Sequence, residues 1–245
     1  MSGPEPSVLR AAAEGVALAT GALTAGVALV AFHPRARVFG PTVWRGPATR
    51  AAVALTFDDG PHPQYTAHIA RILDAHQAKA TFFCIGQRIE QHRATAKALH
   101  EAGHELQNHT YSHGIGRDLF SASRLQIDLE RCQEVLEALT GRVSHYYRPA
   151  IGIRNPPVHA AARALGLTVV TWTFAARDGV FPFTPRRASS LAERTAAGSI
   201  LALHDGDFHA SSSLREQTVR NLPLLLTRLR ERGLVFQTLT ELLGG

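Results

Sequence analysis

The chain is poor in cysteine, methionine and tryptophan, with two, one and two of each in 245 residues. Two thiols cannot build a disulfide framework. Cys84 in a strand-like stretch and Cys132 in a helix-like one read as free core thiols, and they leave the compartment open. Aromatic residues make up 7% of the chain, and they do not interleave with a basic patch. The formal charge of +6 is spread rather than clustered, so nucleic-acid binding is not expected. No internal repeat is present, which excludes a solenoid or propeller array. After Phe32 there is no long hydrophobic run.

Before that point there is one. Residues 15–32 read GVALATGALTAGVALVAF and carry no charge. As a helix this stretch covers about 27 Å, close to the thickness of a hydrocarbon core, and Ala11–Ala13 would lengthen it. No small-x-small cleavage site stands directly before His33-Pro34-Arg35, so a single membrane anchor is expected over a removed leader or a buried or surface Ala-rich helix. The organisation expected is then residues 1–32 with the anchor, a Pro- and Arg-bearing linker over 33–50, and one catalytic domain over 51–245, long enough to bury a core.

Chemistry first shows at Thr56-Phe57-Asp58-Asp59-Gly60-Pro61. The apolar run Val53-Ala54-Leu55 reads as a buried strand, and Gly60-Pro61 ends it. Two acids therefore sit at the carboxyl end of a strand, where α/β proteins place their active groups. One can hold a metal while its neighbour takes a proton from a metal-bound water. A second constellation, Asn108-His109-Thr110-Tyr111-Ser112-His113, has histidines four apart. On a helical backbone they would share a face, and with one carboxylate they make a two-His, one-acid site with open positions. Ser199–Leu203 reads as a buried strand that ends at His204-Asp205-Gly206, and imidazole passes protons in either direction near neutral pH.

The order TFDDGP, HTYSH about fifty residues on, an Arg-Pro element and a late Leu-Ala-Leu-His resembles the polysaccharide deacetylases, the NodB-homology family of metal-dependent carbohydrate esterases. The resemblance runs from about Ala51 to Leu243. It implies removal of N-acetyl groups from a chitooligosaccharide- or peptidoglycan-type glycan. Asp59, His109 and His113 would bind a divalent cation, zinc first, with cobalt or nickel acceptable. It implies Asp58 as base, Arg148 as the residue that holds it, and His204 as the acid that protonates the leaving amine. Ile151 would offer its N–H to the oxyanion, and Leu201 would line the acetyl-methyl pocket. Asp178 would orient either the arginine or the acid histidine. Ala150, Ile151, Ala175 and Gly179 depart from the usual family residues. Trp172, at the end of a strand-like run, reads as core, and Asp205 as a loop acid or a support for neighbouring site residues rather than a catalyst. A lipid-linked amino sugar or another small amide or ester is a second substrate class, and a membrane-tethered glycan-binding relative without turnover is a third reading. The partners implied are such a substrate and a membrane, with the chain a monomer.

Arg35, Arg37, Arg45 and Arg50 follow the span, while Arg10 and the terminal amine precede it. That count puts the catalytic domain in the cytoplasm, whereas an envelope glycan would require the opposite side. The scaffold agrees with the family. Strand-like runs at 53–57, 79–85, 103–107, 143–148, 169–172, 199–203 and 234–236 alternate with helical ones at 62–78, 87–102, 119–140, 158–165, 185–197 and 214–232. Seven β/α repeats suggest a distorted (β/α) barrel of about seven parallel strands, the fold the resemblance implies.

Overall fold

The computed structural model describes residues 31, 33–114, 116, 120–206 and 212–244. The anchor expected over 15–32 lies outside these residues except for Ala31. Among the described residues no helix is long and apolar enough to cross a membrane.

Strand β1 (Ala52–Asp58), helix α1 (Tyr65–Ala75) and strand β2 (Thr81–Cys84) open the fold. Helices α2 (Gly86–Gln91) and α3 (Arg93–Glu101) follow, then β3 (Glu105–Asn108), α4 (Ala122–Thr140) and β4 (Tyr146–Tyr147). Next come α5 (Pro156–Ala164), β5 (Thr168–Val169), β6 (Phe174–Ala175) and α6 (Pro185–Arg194). β7 (Ile200–His204), α7 (Ser212–Glu231), β8 (Val235–Gln237) and α8 (Leu239–Leu243) close it. All strand pairs are parallel, in the order β5-β4-β3-β2-β1-β7-β6. β8 pairs with the first half of β1, and because Ala54 pairs with both Ile200 and Gln237, β8 lies on the side that β2 takes further along.

The sheet is curled. β5 and β6 are its opposite edges, yet residues 170–173 alone join them, a reach of at most about 17 Å. The gap is stitched by the segment expected as a linker. Val43 bridges Val170, and Arg45 bridges Ser199. Val43 N–H donates to Val169 O, and Thr171 N–H donates to Val43 O. This is why the strand expected over 169–172 is cut short: its later residues bond to a distant segment instead of to β4, and the short strand β6 starts beyond them. The helix expected over 87–102 is likewise two, broken at His92 (φ −125°).

Alternation along β1 sorts the core. Val53, Leu55 and Phe57 join Leu201, Leu203 and the apolar faces of α1 and α7 in the main cluster, outside the sheet. Ala52 and Ala54 face inward, against Phe83, Val170, Ile200, Leu239 and Leu242. By the same alternation Thr56 and Asp58 continue the inward row toward the carboxyl end. Register then gathers the site. Asp58 pairs with His204, Cys84 with Asn108, and Asn108 with Tyr147, so residues 58–59, 109, 148 and 204 emerge at one end.

Candidate active site

Asp59 leaves β1 in a left-handed turn (φ 73°). Gly60 follows where nothing larger fits, since a Cβ there would lie 2.0 Å from Asp205 Oδ2. Asp59 Oδ1 lies 3.3 Å from His109 Nε2 and 3.2 Å from His113 Nε2. Burial pushes the Asp59 carboxyl up, but the His109 hydrogen bond and the His204, His109 and His113 charges outweigh it, leaving the group well below the usual carboxylate range.

The histidines do not share a helix face. Thr110 (φ 69°) and His113 (φ 54°) are both left-handed, and a loop brings the rings together, with centroids 4.9 Å apart. Asn108 Oδ1 accepts from Thr110 N–H at 2.8 Å, and Thr110 Oγ1 accepts from His113 N–H at 2.9 Å. Asp128 on α4 accepts from the N–H groups of Tyr111 and Ser112. His109 Nδ1 lies 2.7 Å from the Arg148 carbonyl, which only an N–H can satisfy. Nε2 is then the nitrogen turned toward Asp59 and the one available to a cation. Three ligand atoms, one from each residue, lie within 4.8 Å of one another. Two imidazoles and a carboxylate in this arrangement fit a divalent transition-metal ion with positions left open.

On one flank, Arg148 is fully buried and donates from Nη1 to Asp58 Oδ1 at 2.6 Å and to Thr56 Oγ1 at 2.7 Å. Its Nη2 donates to Thr171 O at 2.9 Å, and the guanidinium lies 4.1 Å from the centre of the Phe83 ring. The plane is thus held on three sides, and it holds Asp58 in turn. On the other flank, His204 Nδ1 lies 2.7 Å from Asp178 Oδ1. Asp178 Oδ2 accepts from the His204 backbone N–H, Arg215 Nη1 and Thr218 Oγ1, and the Asp178 carbonyl accepts from Arg215 Nη2. Burial pushes the His204 imidazole down, but the Asp178 charge and hydrogen bond, with smaller contributions from Asp59 and Asp58, raise it to about 9. Burial raises Asp178, yet His204 and Arg215 together hold it at about 2. Of the two roles open to Asp178, the geometry pairs it with the histidine and not with Arg148.

Asp58, Asp59, His109, His113 and His204 share one cavity of about 520 Å³ with Ile151, Gly152 and Trp172. Two expectations are corrected. Leu201 does not line this cavity: β7 alternates, sending Leu201 into the core outside the sheet and Ala202 to the cavity wall. Trp172 is a wall residue and not core, because the chain has left β5 before reaching it. Asp205 is fully buried; burial and the Asp59 and Asp58 charges outweigh the Thr66 hydrogen bond and push it up to about 7. Arg215, Asp128, Thr56 and Thr171 escaped sequence reasoning, since their partners lie 11 to 145 positions away.

A sequence model of the family described as Polysaccharide deacetylase matches residues 45–170. Over 206 residues the chain is 32% identical to the peptidoglycan-N-acetylglucosamine deacetylase of Bacillus cereus, spanning 83% of this chain and 93% of that protein. The chain belongs to the polysaccharide deacetylase family. It is a hydrolase of carbohydrate esterase family 4. The chitooligosaccharide deacetylase of Azorhizobium caulinodans is 29% identical over 78% of this chain and 93% of its own. A solved peptidoglycan N-acetylglucosamine deacetylase, bound to an N-hydroxybenzamide, superposes with a TM-score of 0.72 at 27% identity, over 83% of this chain and 92% of that one. A family 4 pseudoenzyme from Bacillus anthracis superposes with a TM-score of 0.73 at 25% identity, over 83% and 69%.

Proposed function

We propose that this chain removes N-acetyl groups from an amino-sugar-containing glycan of the chitooligosaccharide or peptidoglycan type and releases acetate, using a divalent cation. The observation that carries the reading is the arrangement of two charged pairs, Asp58–Arg148 and Asp178–His204, on either side of the Asp59, His109 and His113 donor set in one cavity. A cation held by those three residues would lower the pKa of a coordinated water and polarise the amide carbonyl, and zinc, cobalt and nickel all suit the donors.

The residues supply the remainder. Asp58 takes the proton of the attacking water while Arg148 keeps the carboxylate aimed. Ile151 sits in the left-handed region (φ 52°) at the cavity wall, where its N–H serves as an oxyanion donor. His204, whose imidazole the Asp178 carboxylate raises, protonates the departing amine while Asp178 fixes its ring. Trp172 gives the sugar an apolar wall. A glycan-binding module without turnover has no use for an acid and a base together, so the catalytic reading is preferred over the pseudoenzyme one.

Residues 15–32 are proposed as a single membrane anchor, with the side of the catalytic domain set by where the substrate is made; protease accessibility on intact cells tests this. Acetate release from chitooligosaccharide, peptidoglycan and a lipid-linked amino sugar, with and without chelator, tests the reaction. Chelator-resistant release, or none from any of the three, would overturn it.

A further inference from the structure

A second cavity, of about 530 Å³, lies away from the catalytic residues. One wall is the segment 37–43, and the other is the end of α5 with the start of β5, including Ala162, Leu167 and Val169. The interior is largely apolar, yet three cationic or titratable side chains stand around it: Arg37, His159 and Arg163. Arg37 and Arg163 are exposed, and neither forms an ion pair among the described residues. His159 is 6% exposed, and no hydrogen bond to its ring occurs among the described residues. Thr42, in the same wall, is 1% exposed, and its Oγ1 has no hydrogen-bond partner there. The His159 ring nitrogens have no protein partner and are not enclosed, so they are open to a group in the cavity, whereas the Thr42 hydroxyl is enclosed beneath the wall.

The helix end does not compete for that group. The Ala162 carbonyl accepts from Leu165 and Leu167 N–H, and the Arg163 carbonyl from Gly166 N–H. Burial, with the Arg154 and Arg163 charges, pushes the His159 imidazole down, so the local field is positive and unmatched by any acid. A cavity of this volume is in the range that takes a small organic ligand. Guanidinium forks suit a phosphate, and apolar walls suit an alkyl chain.

We infer that this cavity binds an anionic amphiphile, with a phosphate headgroup held by Arg37, Arg163 and His159 and its adjoining alkyl chain laid against Val43, Leu167 and Val169. The wall segment begins only a few residues after the uncharged run 15–32. If that run is an anchor, phosphate-bearing lipid is close at hand.

The test uses the full chain and octyl phosphate below its micelle concentration, read by the NMR signal of the His159 ring, assigned with His159→Gln. Octyl phosphate should shift that signal saturably. Arg37→Gln and Arg163→Gln, both at exposed positions, should each weaken binding by about tenfold without changing the melting temperature. Octanol and inorganic phosphate should each bind at least about tenfold more weakly than octyl phosphate. An unmoved His159 signal, an affinity unaffected by either arginine substitution, or equal binding of octanol or inorganic phosphate would each overturn the inference.

Discussion

Replacing Asp178 with Asn keeps the shape of the side chain and removes its charge from His204. The imidazole is raised from 6.5 to about 9, a change of roughly 3 kcal/mol in the balance between its two forms. Asp178 is the largest raising influence, with Asp59 and Asp58 behind it. Its loss should therefore return most or all of that rise. In metal-free protein near pH 8 the imidazolium would fall from about nine-tenths to the minor form, and in the loaded enzyme the rate should fall on the alkaline side more than at pH 6. A bound cation repels the imidazolium, so the alkaline limb of kcat/KM in the loaded enzyme sits below 9 in both proteins, and the separation between the two limbs is the quantity to read. NMR titration of His204 in metal-free protein gives the shift directly.

The same ion pair acts on stability with a definite sign. His204 is raised, so its contribution is complete below pH 6.5 and is lost as pH rises through about 9. Asp178 is lowered from 3.8 to about 2, so on the acid side the contribution is complete above 3.8 and is lost as pH falls through about 2. Thermal unfolding of Asp178→Asn should show a lower melting temperature between those limits, because Arg215 is left buried beside a neutral group. If His204 titrates identically in wild type and variant, or if the alkaline limb does not move, the pairing has no functional consequence and the reasoning fails.

Asp58→Asn should lower kcat by about 10²–10⁴-fold and leave metal content unchanged, measured by elemental analysis; near-normal turnover would remove the base assignment. His113→Ala should lose metal occupancy at equal protein concentration, and full occupancy would break the ligand set. Leu201→Ala should cost about 2–5 kcal/mol in denaturant unfolding, as for other buried leucines, with KM little changed. Ala202→Leu, by contrast, should raise KM by filling the cavity wall. Gly60→Ala should destabilise by about 1–3 kcal/mol or more, since its methyl must displace the buried Asp205 carboxylate.

Much of the site was legible in the chain because its parts are local. An apolar run, two acids and a Gly-Pro break are adjacent in sequence, and that strand-to-loop junction carries Asp58 and Asp59 to the end of β1 whatever the surrounding packing. The two histidines and the strand before His204 are equally local. The alternation of strand-like and helix-like periods was enough to suggest a parallel barrel, and the family motifs named the chemistry.

Other features depended on residues far apart meeting. Parity in β7 decided between Leu201 and Ala202, and it follows from the pairing of Asp58 with His204 across 146 positions. Arg215 joined Asp178 because α7 packs over the end of β7, and no local pattern marks that. Residues 43–45 drew Thr171 off the strand, and Trp172 beyond it lines the cavity. A short motif carries its own backbone conformation. Side-chain partners across a sheet are chosen by register and burial, which exist only once the whole chain has closed.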